Sequence, residues 1–367
     1  MSNKKICFIG QFAPPIHGLS KALETLYNSK LAERFELYKV NITNNKKILN
    51  NLIKIYMSKC DLYYFTISQS KLGNIRDLII LKLLELQKKK CIIHLHGGYY
   101  RSLVDNDMNI IQKKLNYKAI KKLDGAIVLS NLLKSNFEGM IDSSKIFVVE
   151  NCIDDEYLIS DKDFREKLQN IKCKDIYNIV YLSNFIKSKG YLEVLELARI
   201  EKERCDKEGE KKRFHFNFAG KFFKEDEKVE FFEYIQNFNL NDFITYHGVV
   251  TGKEKLNLLK NGDIFILLTK YPNEGVPISI LESMGNGMFV VTTNHAGIPD
   301  IVKDCINGLI CNKNQINENI ENIYNSLYYE DKYEKVISYN RNEVKEKYSE
   351  SRYINNMKNI FEKCILE

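Results

Sequence analysis

No stretch of this 367-residue chain approaches the roughly 18 consecutive apolar residues that a membrane-spanning helix needs, which excludes an integral membrane protein of the helical kind. A cleavable leader is not expected either: Met1-Ser-Asn-Lys-Lys5 runs straight into a short apolar strand, so a cytoplasmic location is the expectation. Cysteine occurs nine times, but singly and in an odd number, and no C-x-x-C pair is present. That pattern argues against a disulfide framework and a zinc site and reads as reduced, mostly buried thiols. Internal repeats, low-complexity segments and aromatic-interleaved basic stripes are lacking too, so no nucleic-acid partner is expected. With 44% hydrophobic and 28% charged residues, the chain reads as an ordinary soluble globular protein. Its length exceeds the roughly 250 to 300 residues at which single cores stop growing, which implies two domains.

The net charge of +7 is unevenly spread. Residues 1–170 hold 27 Lys and Arg against 18 Asp and Glu, a net of +9, whereas residues 171–367 hold 28 against 30, a net of −2. The runs Lys46-Lys47, Lys88-Lys89-Lys90, Lys113-Lys114 and Lys121-Lys122 suit acidic headgroups or a lipid diphosphate, and suit equally a solvated helix face.

Strand and helix patterns alternate throughout, the signature of an α/β protein with parallel sheets. Apolar runs that read as strands are 5–10, 61–66, 91–96, 125–130 and 145–150 in the first half, and 178–183, 214–220, 243–248 and 263–269 in the second. The run Asp263–Thr269 leads through Lys270-Tyr-Pro-Asn273 into a segment that reads as helical from about Pro277. Proline suits a first helical position because its missing N–H would have no partner there. Gly275, just ahead, permits close backbone approach to a ligand, and the unpaired amides of the helix start suit a phosphate. Glu274 and Glu282 bracket that helix start, spaced to hold hydroxyl-bearing groups on either side of a diphosphate. Any α/β protein has strand–loop–helix units with a glutamate at either end, so the spacing alone carries little.

Four features in register carry more: Glu274-Gly-Val-Pro-Ile-Ser-Ile-Leu-Glu-Ser-Met-Gly-Asn-Gly287, Phe289-Val-Val-Thr-Thr293, Gly297-Ile-Pro-Asp-Ile-Val302 and Asn307-Gly308. Together they resemble the donor-binding half of retaining glycosyltransferase family 4. The resemblance is strong over 178–310 and loose over the first half. It implies a GT-B arrangement, two Rossmann-like domains with parallel sheets facing across a cleft. The expected division is 1–171 for the acceptor side, 172–348 for nucleotide-sugar binding, and a terminal helix, 349–367, crossing back. The polar segment 161–175 reads as the crossing between domains.

The activity implied is metal-independent, retaining transfer of a sugar from a nucleoside diphosphate sugar, a UDP-sugar first, to a hydroxyl of a saccharide or lipid-linked saccharide. No cofactor is implied. Bacterial surface polysaccharide assembly is the expected setting, with peripheral contact at the inner face of an anionic cell membrane. By the resemblance Lys189, followed by Gly190, neutralises the leaving diphosphate, aided by Lys187. Glu274 holds sugar hydroxyls, Glu282 the ribose, and His96 touches the donor sugar. Gly275, Val276, Pro277 and Ile278 form the phosphate-facing helix start, and the loop containing Gly18 closes over the donor from the other domain. His17 has a similar place on that loop. Ser183-Asn184 departs from the Gly-Arg pair common in the family, so one expected cation is replaced by Asn184. That departure leaves room for a non-catalytic sugar-nucleotide-binding subunit, and a GT-B sugar-nucleotide 2-epimerase is a further alternative.

Three other groupings are weighed against this. His94 and His96 point to one face of a strand and offer a metal pair, but no third ligand is evident, and His94 reads as packed beneath His96. Asp105-Asn-Asp107 has the D-x-D form used by metal-dependent transferases of the other major fold, yet it follows a mixed segment and reads better as capping and helix N-terminal charge. Asn151-Cys-Ile-Asp154 resembles the family's Asn-Gly-Ile-Asp turn, with Cys152 in place of glycine. His215 and His247 read as structural, and the apolar face of 351–366 as a packing face.

Overall fold

The structure is a computed structural model that describes residues 4–14, 18–171, 173–209, 211–318, 320–328 and 333–366. The chain divides into two compact units. The first comprises 1–151, 272–276 and 350–367, the second 152–271 and 277–349.

The first unit is built on a parallel sheet of β1 (Lys4–Gly10), β2 (Phe35–Asn41), β3 (Leu62–Thr66), β4 (Lys90–Leu95), β5 (Gly125–Val128) and β6 (Ile146–Val148), in the order β2-β1-β3-β4-β5-β6. β1, β3, β4 and β5 are near-continuous apolar runs because helices cover both sheet faces, leaving no side to face water. β2, absent from the strand expectations, is the edge: only Phe35 and Val40 are buried, so its pattern is too weak to stand out. The last helix, Glu350–Leu366, belongs to this unit and buries Tyr353, Met357, Phe361 and Cys364. The Phe361 ring packs edge-on to Phe8 at 5.9 Å and lies 5.5 Å from Tyr64, centroid to centroid.

The second unit carries β7 (Tyr177–Leu182), β8 (Phe214–Ala219), β9 (Ile244–Tyr246), β10 (Ile264–Leu267), β11 (Phe289–Thr293) and β12 (Gly308–Cys311), all parallel, in the order β12-β11-β10-β7-β8-β9. Strand order reverses between β7 and β10, and loops leaving the carboxyl ends of strands at such a switch point form ligand crevices. Asp263 anchors the pair, accepting from the Asn178 amide at 2.8 Å and from Lys174.

The expected crossing at 161–175 is instead largely helix, Asp161–Ile171, with Phe164 and Ile171 buried inside the second unit, so the unit boundary falls after Asn151 and not near 172. Lys167 on that helix donates to the Asn286 carbonyl at 2.8 Å, and burial lowers its ammonium to a pKa of about 8. Asp105 and Asp107 are not caps: Leu103–Asp107 is a π-helical turn, and Asn109 caps the Ile110–Ile120 helix by accepting from the Gln112 amide. Asp105 pairs with Lys113, and Asp107 accepts from Tyr99.

Candidate functional site

In the second unit the loops at the β7 and β10 ends are tied together. The Lys270 amide donates to the Ser188 carbonyl at 2.6 Å. Gly190 has φ +82°, a left-handed conformation that glycine adopts freely, and a Cβ there would lie 2.5 Å from the Leu268 carbonyl oxygen. This close crossing fixes where Lys189 begins, and its ammonium lies 5.1 Å from the centroid of the Tyr271 ring. Lys187 turns away and pairs with Glu230 at 2.7 Å in an exposed salt bridge. Asn184 is exposed, and the Ser183 carbonyl packs against Gly220. Of the four polar residues expected on this loop, Lys189 alone is held at the switch point by packing between the two loops.

The helix after β10 runs Ile278–Gly285, with Pro277 as its N-cap residue rather than its first helical residue. Pro277 is buried and Ile278 partly exposed. Glu282 is 4% exposed and accepts from the Lys255 ammonium at 2.6 Å. That ammonium lies 4.3 Å from the centroid of the Tyr157 ring. Lys255 and Tyr157 carry no signal in the sequence. Neither lies in a motif, and the packing of the Gly252–Asn261 helix brings Lys255 both to Glu282 and over Tyr157.

Of the stretch between β10 and that helix, residues 272–276 belong to the first unit. Glu274, Gly275 and Val276 are buried. A Cβ on Gly275 would lie 2.8 Å from the His96 carbonyl oxygen, so glycine is required there by the backbone at the end of β4. Asn151 donates from Nδ2 to the Val276 carbonyl at 2.8 Å, which gives the Asn-Cys-Ile-Asp turn a defined task. Gly97 is crowded similarly, by Gln69 and the Asn273 carbonyl, and Gln69 accepts from the Tyr99 amide at 2.7 Å. Together these contacts seat Pro272–Val276 on the His96-Gly97 end of the first sheet.

His96 stacks on His94, with ring centroids 3.9 Å apart at 31°. His94 is fully buried and its Nδ1 lies 2.7 Å from the Tyr64 hydroxyl. Burial lowers His96 to a pKa of about 3, and burial, then His96, lowers His94 well below the usual range, so both imidazoles are neutral at pH 7. The Nε2 of each is buried without a protein hydrogen-bond partner. Among the described residues no group of three His, Cys, Asp or Glu that could hold a metal is present. His215 and His247 make hydrogen bonds at 2.8 Å to Thr245 and 2.9 Å to Asn217.

Gly18 differs from expectation. It opens the Gly18–Tyr27 helix instead of lying in a loop, and a Cβ there would meet nothing within 4 Å. His17 lies outside the described residues.

Two parallel six-stranded sheets with helices define the fold as that of GT-B glycosyltransferases. The crystal structure of Anabaena HepE in complex with UDP and glucose superposes with a TM-score of 0.73 at 14% identity, covering 98% of this chain and 100% of that one. The family model for glycosyl transferases group 1 matches residues 162–343, the stretch that carries Lys189, Glu274 and Glu282. An uncharacterized protein in the cps region of Klebsiella pneumoniae is 25% identical over 77% of this chain and 83% of its own length. An uncharacterized glycosyltransferase of Methanocaldococcus jannaschii is 25% identical over 76% of this chain and 69% of its own.

Proposed function

We propose that this chain is a retaining, metal-independent glycosyltransferase of family 4 that moves a sugar from a UDP-sugar to a hydroxyl of a saccharide or lipid-linked saccharide in surface polysaccharide assembly. The observation that carries this is Lys189, fixed at the β7–β10 switch point by the crossing of Gly190 against Leu268, within the stretch that matches the group 1 family. The UDP and glucose named for the Anabaena structure support the donor class, and the cps region of the Klebsiella relative supports the setting.

As the glycosidic bond breaks, the diphosphate gains negative charge. Preorganised positive groups aimed at that charge are the main expected catalytic effect. Lys189 supplies a full charge, and the amides of Gly275 and Val276 and the helix start at Pro277 and Ile278 supply partial ones. Glu274 holds sugar hydroxyls and Glu282 the ribose. His96, neutral at working pH, meets the donor sugar as a hydrogen-bonding group and not as an acid. Gly18 meets the donor through the start of its helix. The basic surplus of residues 1–170 suits peripheral contact with an anionic membrane at the inner face of the cell.

A thermal-shift comparison of UDP, GDP, ADP and TDP, with and without EDTA, tests the donor assignment, because a ligand of the folded state raises stability by RT ln(1 + [L]/Kd). EDTA-insensitive stabilisation by UDP is expected, and no shift with any of the four overturns it. Donor binding without turnover or isomerisation on any acceptor would make the chain a sugar-nucleotide-binding subunit, the reading that Asn184 favours. Isomerised sugar nucleotide formed without acceptor would make it a 2-epimerase.

A further inference from the structure

Three helices of the first unit, Ile48–Met57, Lys71–Leu86 and Ile110–Ile120, turn apolar side chains to the outside. Ile53 is 60% exposed, Leu86 69% and Ile111 72%, with Tyr56, Ile79 and Leu115 beside them. Between the helices runs a groove of about 890 Å³ lined by these residues. Isolated exposed apolar residues are ordinary, but a contiguous apolar surface of this kind marks a docking site.

The outward orientation is locked from beneath. The 110–120 helix buries Gln112 and Asn116 while exposing Ile111 and Leu115, an inverted pattern for a surface helix. Its buried amides are paired: Asn74 donates to Asn116 at 2.9 Å, Gln112 donates to Asn74 at 3.0 Å, and the Tyr100 hydroxyl donates to Asn116 at 2.8 Å. Rotating the helix to bury its isoleucines would strand these amides in the interior, so the apolar face is a property of the fold.

Charge selects the occupant. Residues 45–57, 71–89 and 110–122 hold 13 Lys and Arg against 2 acidic residues, a net of +11 in a chain whose total is +7. Both acids are already paired, Asp77 with Arg76 and Glu85 with Lys82 and Lys122. A second copy docked face to face would oppose +11 to +11, which disfavours a two-fold dimer here. None of the described helices is long and apolar enough to cross a bilayer. Apolar residues with Lys82 and Lys118 among the groove lining, a tyrosine beside them and further lysines on the same helices instead match an anionic lipid surface, with the isoleucines and leucines in the acyl boundary and the ammonium groups at the headgroups.

We infer that the 48–57, 71–86 and 110–120 helices together form a peripheral docking face for an anionic phospholipid bilayer. The inference deepens the peripheral membrane contact proposed above, on which it rests, and locates that contact on this surface. The test is flotation of the full chain with vesicles of phosphatidylcholine alone or with about one-third phosphatidylglycerol, at about 0.05 M and about 0.5 M salt. Binding should require phosphatidylglycerol and weaken at high salt. Lys114→Gln with Lys118→Gln should weaken it about 25-fold, at about fivefold per lysine. Ile111→Asp with Leu115→Asp should reduce binding at least tenfold at unchanged melting temperature, since both side chains are exposed. The inference is overturned by absence of binding to anionic vesicles, by equal binding to neutral ones, or by wild-type binding of both variants. Sedimentation that shifts from dimer to monomer in the Ile111→Asp, Leu115→Asp variant would also overturn it and give the face to a second copy. Vesicle binding can fail while UDP still stabilises the protein, so the two readings fail separately.

Discussion

Breaking the pairing of Lys255 with Glu282 from one side should cost the second unit a large part of its stability. At 2.6 Å, an effective dielectric of about 20 gives a gross attraction of about 6 kcal/mol. Desolvation takes back much of this, because Glu282 is 4% exposed and the Lys255 side chain 18%. Removing the lysine alone leaves a buried carboxylate without that partner, at a cost of about 3 to 5 kcal/mol, with the partial exposure of Lys255 favouring the lower end. Lys255→Met keeps much of the aliphatic stem and removes the charge over Tyr157, so the loss should be electrostatic. At roughly 2 to 4 °C per kcal/mol for a unit of this size, a fall in Tm of about 6 to 12 °C is expected by circular dichroism. The decisive comparison is the double variant Lys255→Met, Glu282→Gln, which removes both charges. It should regain about 2 kcal/mol or more over the sum of the single changes. Additivity within about 0.5 kcal/mol would refute the pairing as a stabilising contact.

Three further outcomes follow from the geometry. Lys189→Ala should lower kcat about 100-fold in steady-state assays, as for loss of one preorganised charge stabiliser, while Lys187→Ala, whose ammonium pairs with Glu230, should retain near wild-type turnover. Gly190→Ala forces a left-handed residue with its Cβ 2.5 Å from a backbone oxygen, so a loss of about 1 to 3 kcal/mol in urea melts and weaker UDP stabilisation in thermal scans are expected. His96 is held neutral by burial, at a pKa of about 3 against about 6.5 unfolded. Between those values the unfolded chain binds a proton that the folded one refuses, so stability should fall as pH drops from about 6.5 toward 3. His96→Gln should flatten that slope in urea melts at stepped pH, and an unchanged slope would contradict the burial argument.

Much of the architecture is legible locally. Continuous apolar runs such as Ile6–Ile9 and Ile264–Leu267 announce parallel strands because a sheet covered on both faces leaves them no polar side. β2 escapes notice because an edge strand with two buried residues looks like any mixed segment, and 161–171 reads as a linker because its polar face outweighs Phe164 and Ile171. Gly190 and Gly275 announce themselves as glycines, but not their neighbours: the Leu268 carbonyl and the His96 carbonyl are the atoms that demand them.

The sequence by itself determined the alternation of strand and helix, the break between β10 and the helix that follows, and the spacing of Glu274 from Glu282. All of these are short-range properties, set by periodicity and by backbone-specific residues. Tertiary structure alone decided that β7 lies beside β10, that Lys189 stays at the switch point while Lys187 leaves it for Glu230, and that Glu282 meets Lys255 from 27 positions away. It also decided that Ile111 and Leu115 face outward, because the amides of Gln112 and Asn116 had partners waiting inside and these two apolar side chains did not. Such pairings depend on which elements become neighbours, and strand order and helix rotation are settled by packing over the whole unit.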